Sequence, residues 1–97
     1  MKKKIKKYWN NYYKKTKFNN KPSNFSQFIY RKFLKKKNVL LDIGTGDGRD
    51  AFLLRKKIKF IYGIDLSNIA IAKNEKKVIK LNLNNMNFKN MSINNLK

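Results

Sequence analysis

From Lys2 to Lys15 the apolar positions Ile5, Tyr8, Trp9, Tyr12 and Tyr13 recur at intervals of three and four with lysines between them, the spacing of one face of a helix. That face is unusually aromatic, and packing rather than chemistry is its expected role. Thr16 to Pro22 is polar and carries the only proline, which disfavours helix in the residue before it, so a loop is expected. Ser23 or Asn24 then caps a second helix running to about Lys36, striped by Phe25, Phe28, Ile29 and Phe33. At Asn38 the helical period gives way. Asn38 to Ile43 is a short apolar run that ends in Asp42-Ile43 and glycines, which suits a strand buried on both faces. A helix from about Arg49 to Lys57 follows, with Ala51, Leu54 and Ile58 on one side. Lys59 to Ile64 is rich in β-branched and aromatic residues and reads as the next strand. Ser67 caps a helix from Asn68 to about Lys77, and Met86 to Ile93 forms a third strand rich in asparagine.

Strand, tight turn, helix and strand within about 30 residues make a βαβ unit, which winds right-handed and lays its strands parallel. The fold class expected is α/β: a Rossmann-like parallel sheet, truncated at about three strands, with two N-terminal helices. Residues 1–37 form the lead-in helices and 38–97 the sheet domain. No internal repeat is visible, and the strands present do not complete a doubly wound sheet.

Composition narrows the chemistry. The chain has no cysteine and no histidine, so disulfides, thiolate metal sites and imidazole proton shuttles are excluded, and no metal site is expected. The longest apolar run, Val39-Leu40-Leu41, is far short of the roughly 20 residues a membrane span needs, and no signal-peptide core follows Met1 to Lys7. A soluble, cytoplasmic protein is expected. The formal net charge of +20 resembles a nucleic-acid footprint. It comes, however, from 22 Lys against 3 Arg, accompanied by 15 Asn, a bias that A/T-rich codons explain without a selected partner. Weak nonspecific binding to RNA or DNA is expected either way, and a small basic RNA- or DNA-binding protein, stacking bases on the aromatics of Lys2 to Lys15, is the alternative reading.

The five acidic residues are Asp42, Asp47, Asp50, Asp65 and Glu75, and three of them flank or interrupt the glycine cluster. The turn after the first strand reads Asp42-x-Gly44-x-Gly46-x-Gly48. Gly44 and Gly46 permit a ligand to lie against bare backbone, and Gly48 lets the helix start pack near the strand. A dinucleotide fingerprint needs its third glycine where Arg49 stands. Asp47 and Asp50 would repel a pyrophosphate at the helix N-terminus, although either residue could simply favour that terminus. No Gly-Lys-Ser/Thr follows, so the P-loop is excluded as well. A cationic, phosphate-free ligand suits the carboxylates better. Asp65 closes the second strand and lies beside the glycine turn at the carboxyl edge of the sheet, where a carboxylate accepts hydrogen bonds from both hydroxyls of a ribose.

Val39-Leu40-Leu41-Asp42-Ile43-Gly44-Thr45-Gly46-Asp47-Gly48-Arg49-Asp50 resembles motif I of class I S-adenosylmethionine-dependent methyltransferases, and Tyr62-Gly63-Ile64-Asp65-Leu66-Ser67 resembles their motif II. Order and spacing match, and the resemblance is closest to the small-molecule branch that includes tellurite and thiol methyltransferase-like proteins. The Tyr8-Trp9 start and Pro22-Ser23-x-Phe25 resemble that branch's lead-in helices.

The resemblance implies S-adenosylmethionine as cofactor and a small-molecule methyl acceptor. Asp42 and the backbone of Gly44 and Gly46 would hold the methionine end, with Thr45 in the same loop and Gly48 close by. Asp65 would hold the ribose and Leu66 pack on the adenine. An acidic residue after the third strand commonly meets the adenine amino group in the family; aligning Phe88 to Leu96 with that strand puts Ser92 there, so its hydroxyl and the Ile93 N–H take that place. Tyr12, Tyr13 or Ser23 closing over the cofactor is a second reading of the lead-in. Residues that bind and deprotonate the acceptor follow later strands in the family, so the chain is expected to be the cofactor-binding part of a truncated or split reading frame; no catalytic residue and no oligomeric state is assigned.

Overall fold

The computed structural model describes residues 2–15 and 21–95. Most of the expected first loop, Thr16 to Asn20, and Leu96 lie outside the described residues. The elements are α1 (Lys2–Lys15), α2 (Asn24–Lys32), β1 (Val39–Ile43), α3 (Arg49–Leu54), β2 (Phe60–Asp65), α4 (Asn68–Lys80) and β3 (Met86–Asn90), followed by a 3₁₀ turn at Ile93–Asn95. The order matches the sequence pattern; the ends differ where local hydrogen bonds decide them. Helix α2 stops at Lys32 because the next turn closes on Asn38, whose side chain accepts from the Lys35 N–H at 2.7 Å. Lys57 Nζ donates to the Tyr30 carbonyl at 2.8 Å and so satisfies one of that helix's last acceptors. Helix α3 ends early in bonds of three-residue span, from Lys56 to Leu53 and from Lys57 to Leu54, which turn Ile58 into the core. Helix α4 runs to Lys80 and ends on Asn82 in the left-handed region, with Asn82 N–H on the Ile79 carbonyl and Leu83 N–H on that of Val78, a Schellman motif.

Among the described residues the strands form one parallel sheet in the order β1-β2-β3, as the βαβ reading requires. Val39 pairs with Phe60 and Ile43 with Ile64, while Ile61 pairs with Met86 and Asp65 with Asn90. The register therefore brings the carboxyl ends of all three strands to one edge. Ile61, Met86 and Phe88 face the helices and pack with Ala51, Phe52, Ile58 and Ile71 into the core, with Leu40 and Val78 at its margin.

Among the described residues most of the opposite face of the sheet is open, although Ile64 at its carboxyl end is buried. Val39, Leu41, Ile43 and Tyr62 stay between 45 and 55% exposed, which corrects the expectation that β1 is buried on both faces. The apolar run marks a strand without saying what covers it, and here β1 is an edge strand with α3 and α4 on one side only. No helix among the described residues is long and apolar enough to cross a membrane.

Two polar ties lay the lead-in helices on this frame. Asn10 of α1 accepts from Ser67 Oγ at 2.6 Å and donates to Asn68 Oδ1 at 2.7 Å, joining α1 to the start of α4. Asp50 of α3 accepts from the Ser23 N–H, Ser23 Oγ and Ser26 Oγ at 2.7–2.9 Å, which pins the start of α2. Ser23 also accepts from Ser26 N–H and Ser67 from Ala70 N–H, so both act as the expected N-caps.

Ile61 is 1% exposed at the centre of the sheet, and Ile61→Ala should cost about 2–5 kcal/mol, a large part of a small domain's stability of roughly 5–15 kcal/mol. Urea unfolding followed by circular dichroism should show the midpoint falling in proportion.

Candidate functional site

The site is built where β1 ends and the glycine loop crosses to β2. Both the Gly44 and Thr45 N–H groups donate to the Ile64 carbonyl at 2.9 Å, and the Gly48 N–H closes a turn on the Thr45 carbonyl at 2.8 Å. Gly46 and Gly48 have φ of +55° and +74°, a region that side chains rarely adopt. Space is equally strict: a Cβ on Gly46 would lie 2.5 Å from the Tyr13 hydroxyl, and one on Gly48 would lie 2.9 Å from both Asn74 Oδ1 and the Phe52 ring. Gly44 differs, because a Cβ there would meet nothing within 4 Å. Its backbone lies bare towards open space.

The carboxylates are bonded into this loop. Asp65 Oδ2 accepts from the Gly46 N–H at 2.8 Å and Oδ1 from the Ser67 N–H at 2.9 Å. Asn90 Nδ2 donates to the Asp65 carbonyl at 3.0 Å and that of Leu66 at 2.9 Å, so β3 holds the same corner. Asp42 accepts from Thr45 Oγ1 at 2.9 Å. Burial pushes the Asp42 carboxyl above the usual range, the Thr45 hydroxyl opposes this, and the charges of Asp50 and Asp65 add to it. Burial pulls Asp50 upward too, but the bonds from Ser23 and Ser26 and the charge of Arg49 outweigh it and hold that carboxyl below its ordinary value. Burial, then the charges of Asp65 and Asp47, raise the Tyr13 phenol to about 12.

Two adjoining cavities share Trp9, Tyr13 and Gly44 in their walls. One, of about 290 Å³, is apolar, with Ile43, Ile64, Leu66, Met91 and Ile93 around Asp65. The other, of about 300 Å³, is polar, with Tyr12, Asp42, Thr45, Gly46, Asp47, Arg49 and Asp50. The structure thus brings Gly44, Asp65, Leu66 and Ile93 to one lobe and Asp42, Gly44, Thr45 and Gly46 to the other. Gly48 and Ser92 line neither. Gly48 packs on Phe52 and Asn74, and Ser92 Oγ accepts from the Asn94 N–H at 3.2 Å.

Helix α1 supplies what the sequence reading underweighted. Tyr8, Trp9 and Tyr12 are 39–62% exposed rather than packed into the core, and Trp9 meets the rings of Tyr8 and Tyr12 edge to face at 5.1 and 5.6 Å between centroids. Trp9 and Tyr13 wall both lobes. Their spacing of four was the available signal, but a helical stripe does not say whether it faces a core or a cleft. Met91 and the buried Asn74 are further residues at or behind the loop that the motifs did not mark; Asn74 falls in the stripe of Ala70, Ile71 and Val78, where an apolar residue is the rule.

The model of a methyltransferase domain family matches residues 34–97, two thirds of the chain. The chain belongs to this methyltransferase domain family. No curated protein sequence matches it. Among solved structures it is similar to a phosphoethanolamine N-methyltransferase of Haemonchus contortus in complex with phosphoethanolamine and S-adenosylhomocysteine (TM-score 0.75, 19% identity, 99% of this chain and 22% of that one). It is also similar to a SAM-dependent methyltransferase of Aquifex aeolicus (TM-score 0.60, 28% identity, 73% and 40%). A third is a candidate methyltransferase of Streptococcus mutans in complex with SAH (TM-score 0.65, 25% identity, 74% and 41%). The methyltransferase domain described here spans 22 to 41% of the length of these chains, and the shared architecture is the parallel, Rossmann-like sheet with its helices.

The raised Asp42 carboxyl predicts a pH signature. A carboxyl whose folded value lies above its unfolded 3.8 binds more protons folded than unfolded, so its charge costs stability as pH rises through that window. Asp42→Asn should therefore be more stable than the parent at pH 7, and the difference should vanish as pH falls below about 3.8. Thermal unfolding of both proteins across that range checks it.

Proposed function

We propose that this chain is the cofactor-binding portion of an S-adenosylmethionine-dependent methyltransferase acting on a small-molecule acceptor. The observation that carries the reading is the Asp65 carboxylate, held by the Gly46 and Ser67 N–H groups at the border of the two lobes. Each oxygen accepts one of these bonds and keeps capacity for another, which suits the paired hydroxyls of a ribose. The residues present fit such a cofactor. The apolar lobe beside Leu66 and Ile93 suits a flat base, with Ser92 next in the chain. The polar lobe presents both signs of charge, Asp42 and Asp47 against Arg49, as an amino-acid zwitterion requires. The bare backbone at Gly44 leaves room between them.

S-adenosylmethionine supplies an electrophilic methyl group on a sulfonium, so the protein's part is orientation and electrostatics. Asp65 fixes the sugar, Asp42, Thr45 and the Gly44–Gly46 backbone hold the methionine end, and Trp9 and Tyr13 cover the cleft and exclude water. Tyr13, with its phenol held near 12, stays protonated at neutral pH and serves as a donor, not a base. A small acceptor is supported by this covering helix, whose Trp9 and Tyr13 wall both lobes of the cofactor cleft. The comparisons support the cofactor through the SAH-bound structures from Haemonchus contortus and Streptococcus mutans.

Isothermal titration with S-adenosylhomocysteine tests the reading. Saturable heat is expected from the folded chain, and Asp65→Ala should weaken binding by at least about tenfold, the loss of charge-assisted hydrogen bonds. No heat at millimolar ligand from a sample shown to be folded would overturn it.

A further inference from the structure

The side chain of Asn74 is fully buried on α4, in the face that Ala70, Ile71 and Val78 present to the core. Its Nδ2 donates to the Gly46 carbonyl at 2.8 Å, 28 residues away in sequence. Among the described residues its Oδ1 has no hydrogen-bond partner, and it lies 2.9 Å from where a Gly48 Cβ would stand. One amide therefore touches two of the three glycines of the loop. Leaving an acceptor buried and unpaired is unfavourable, and an apolar residue of similar volume would avoid it. That replacement would in turn leave the Gly46 carbonyl unpaired, so one unpaired acceptor would be exchanged for another and fold stability does not by itself select the amide.

What the amide provides is direction. Gly46 is held at both ends, its carbonyl by Asn74 and its N–H by Asp65. As a glycine, here at φ +55°, the residue has more backbone freedom than one with a Cβ, so bonds at both ends serve to keep its N–H aimed. We propose that Asn74 is a positioning residue for cofactor binding: by holding the Gly46 carbonyl it fixes the far side of the glycine whose N–H orients the Asp65 carboxylate. This rests on the reading of Asp65 as a ribose ligand. Asn74 itself lines neither lobe and acts only through Gly46.

The test compares Asn74→Ala and Asn74→Leu with the parent chain; the leucine variant keeps the branched shape of the side chain without its polar groups and serves where alanine leaves too large a void. Three quantities are read: S-adenosylhomocysteine affinity by titration, the unfolding temperature, and amide hydrogen exchange at Gly46 against Ile61 in the core. Expected are a dissociation constant raised about tenfold or more, the loss of one hydrogen bond, and an unfolding temperature for Asn74→Leu close to the parent's, because the unpaired Asn74 Oδ1 is exchanged for an unpaired Gly46 carbonyl. Gly46 exchange should be faster while Ile61, whose N–H donates to the Asn85 carbonyl, stays protected. Unchanged affinity in a folded variant overturns the proposal, and so does exchange that rises equally at Gly46 and Ile61, which marks a purely structural role. Hydrogen exchange is measured without ligand. If the parent binds no S-adenosylhomocysteine, the cofactor reading fails on that result, and Gly46 exchange still decides whether Asn74 holds the loop.

Discussion

The hydrogen bond from the Gly46 N–H to the Asp65 carboxylate is the tie on which the rest of the site depends. It spans the carboxyl edge of the sheet, from the loop after β1 to the last residue of β2, and it exists because the parallel register sets Ile43 beside Ile64. The same carboxylate takes the Ser67 N–H and so shapes the entry to α4. Ser67 in turn donates to Asn10, and Lys73 of α4 donates to the Tyr13 carbonyl, which lays α1 over the loop. Loop, helix start and covering helix thus all refer to one carboxylate. A charged acceptor makes stronger bonds than a neutral one, and a group that organises three elements at once is better placed for this than any pair of apolar contacts.

Charge placement follows from that arrangement. In a chain of net charge +20 with five acidic residues, Asp42, Asp47 and Asp50 line the polar lobe and Asp65 borders the apolar one. Their roles divide by surroundings. Asp50 is stabilised as an anion by Ser23 and Ser26 and fastens α2; Asp42 is desolvated and held at a cost. A desolvated carboxylate with one hydroxyl partner is a poor structural device and a good one for meeting a cationic group. The lysines lie mainly on outward faces such as that of α1 and leave the cleft to the acids and Arg49.

Much of this was legible beforehand because periodicity, caps and glycine spacing are local signals. The βαβ order, the Ser23 and Ser67 caps and the convergence of the glycine loop with Asp65 all follow from patterns within a few residues, or from the chirality of the crossover. Long-range features were not legible. Nothing in Val39-Leu40-Leu41 distinguishes an edge strand covered on one face from a central one covered on both. The aromatic stripe of α1 has the same spacing whether it faces a core or a cleft. Helix ends moved where a distant partner intervened, as Lys57 does at the Tyr30 carbonyl. Asn74 looked like one asparagine among 15; its meaning appears only when α4 is laid against the loop.

The one-sided sheet bears on what the site can do. Parallel sheets are ordinarily covered on both faces, and here the covered face alone carries the core of Phe52, Ile61, Ile71 and Phe88. Every contact that shapes the loop comes from that side or from the carboxyl edge: Asn74 and Phe52 from the helices, Asp65 from β2, Tyr13 from α1. The opposite face contributes Ile43 and its register partner Ile64 to the wall of the apolar lobe. The geometry at Gly46 is therefore set without contacts from Val39, Leu41 or Tyr62. The geometry of the glycine loop is thus built from bonds internal to one βαβ unit and its covering helix.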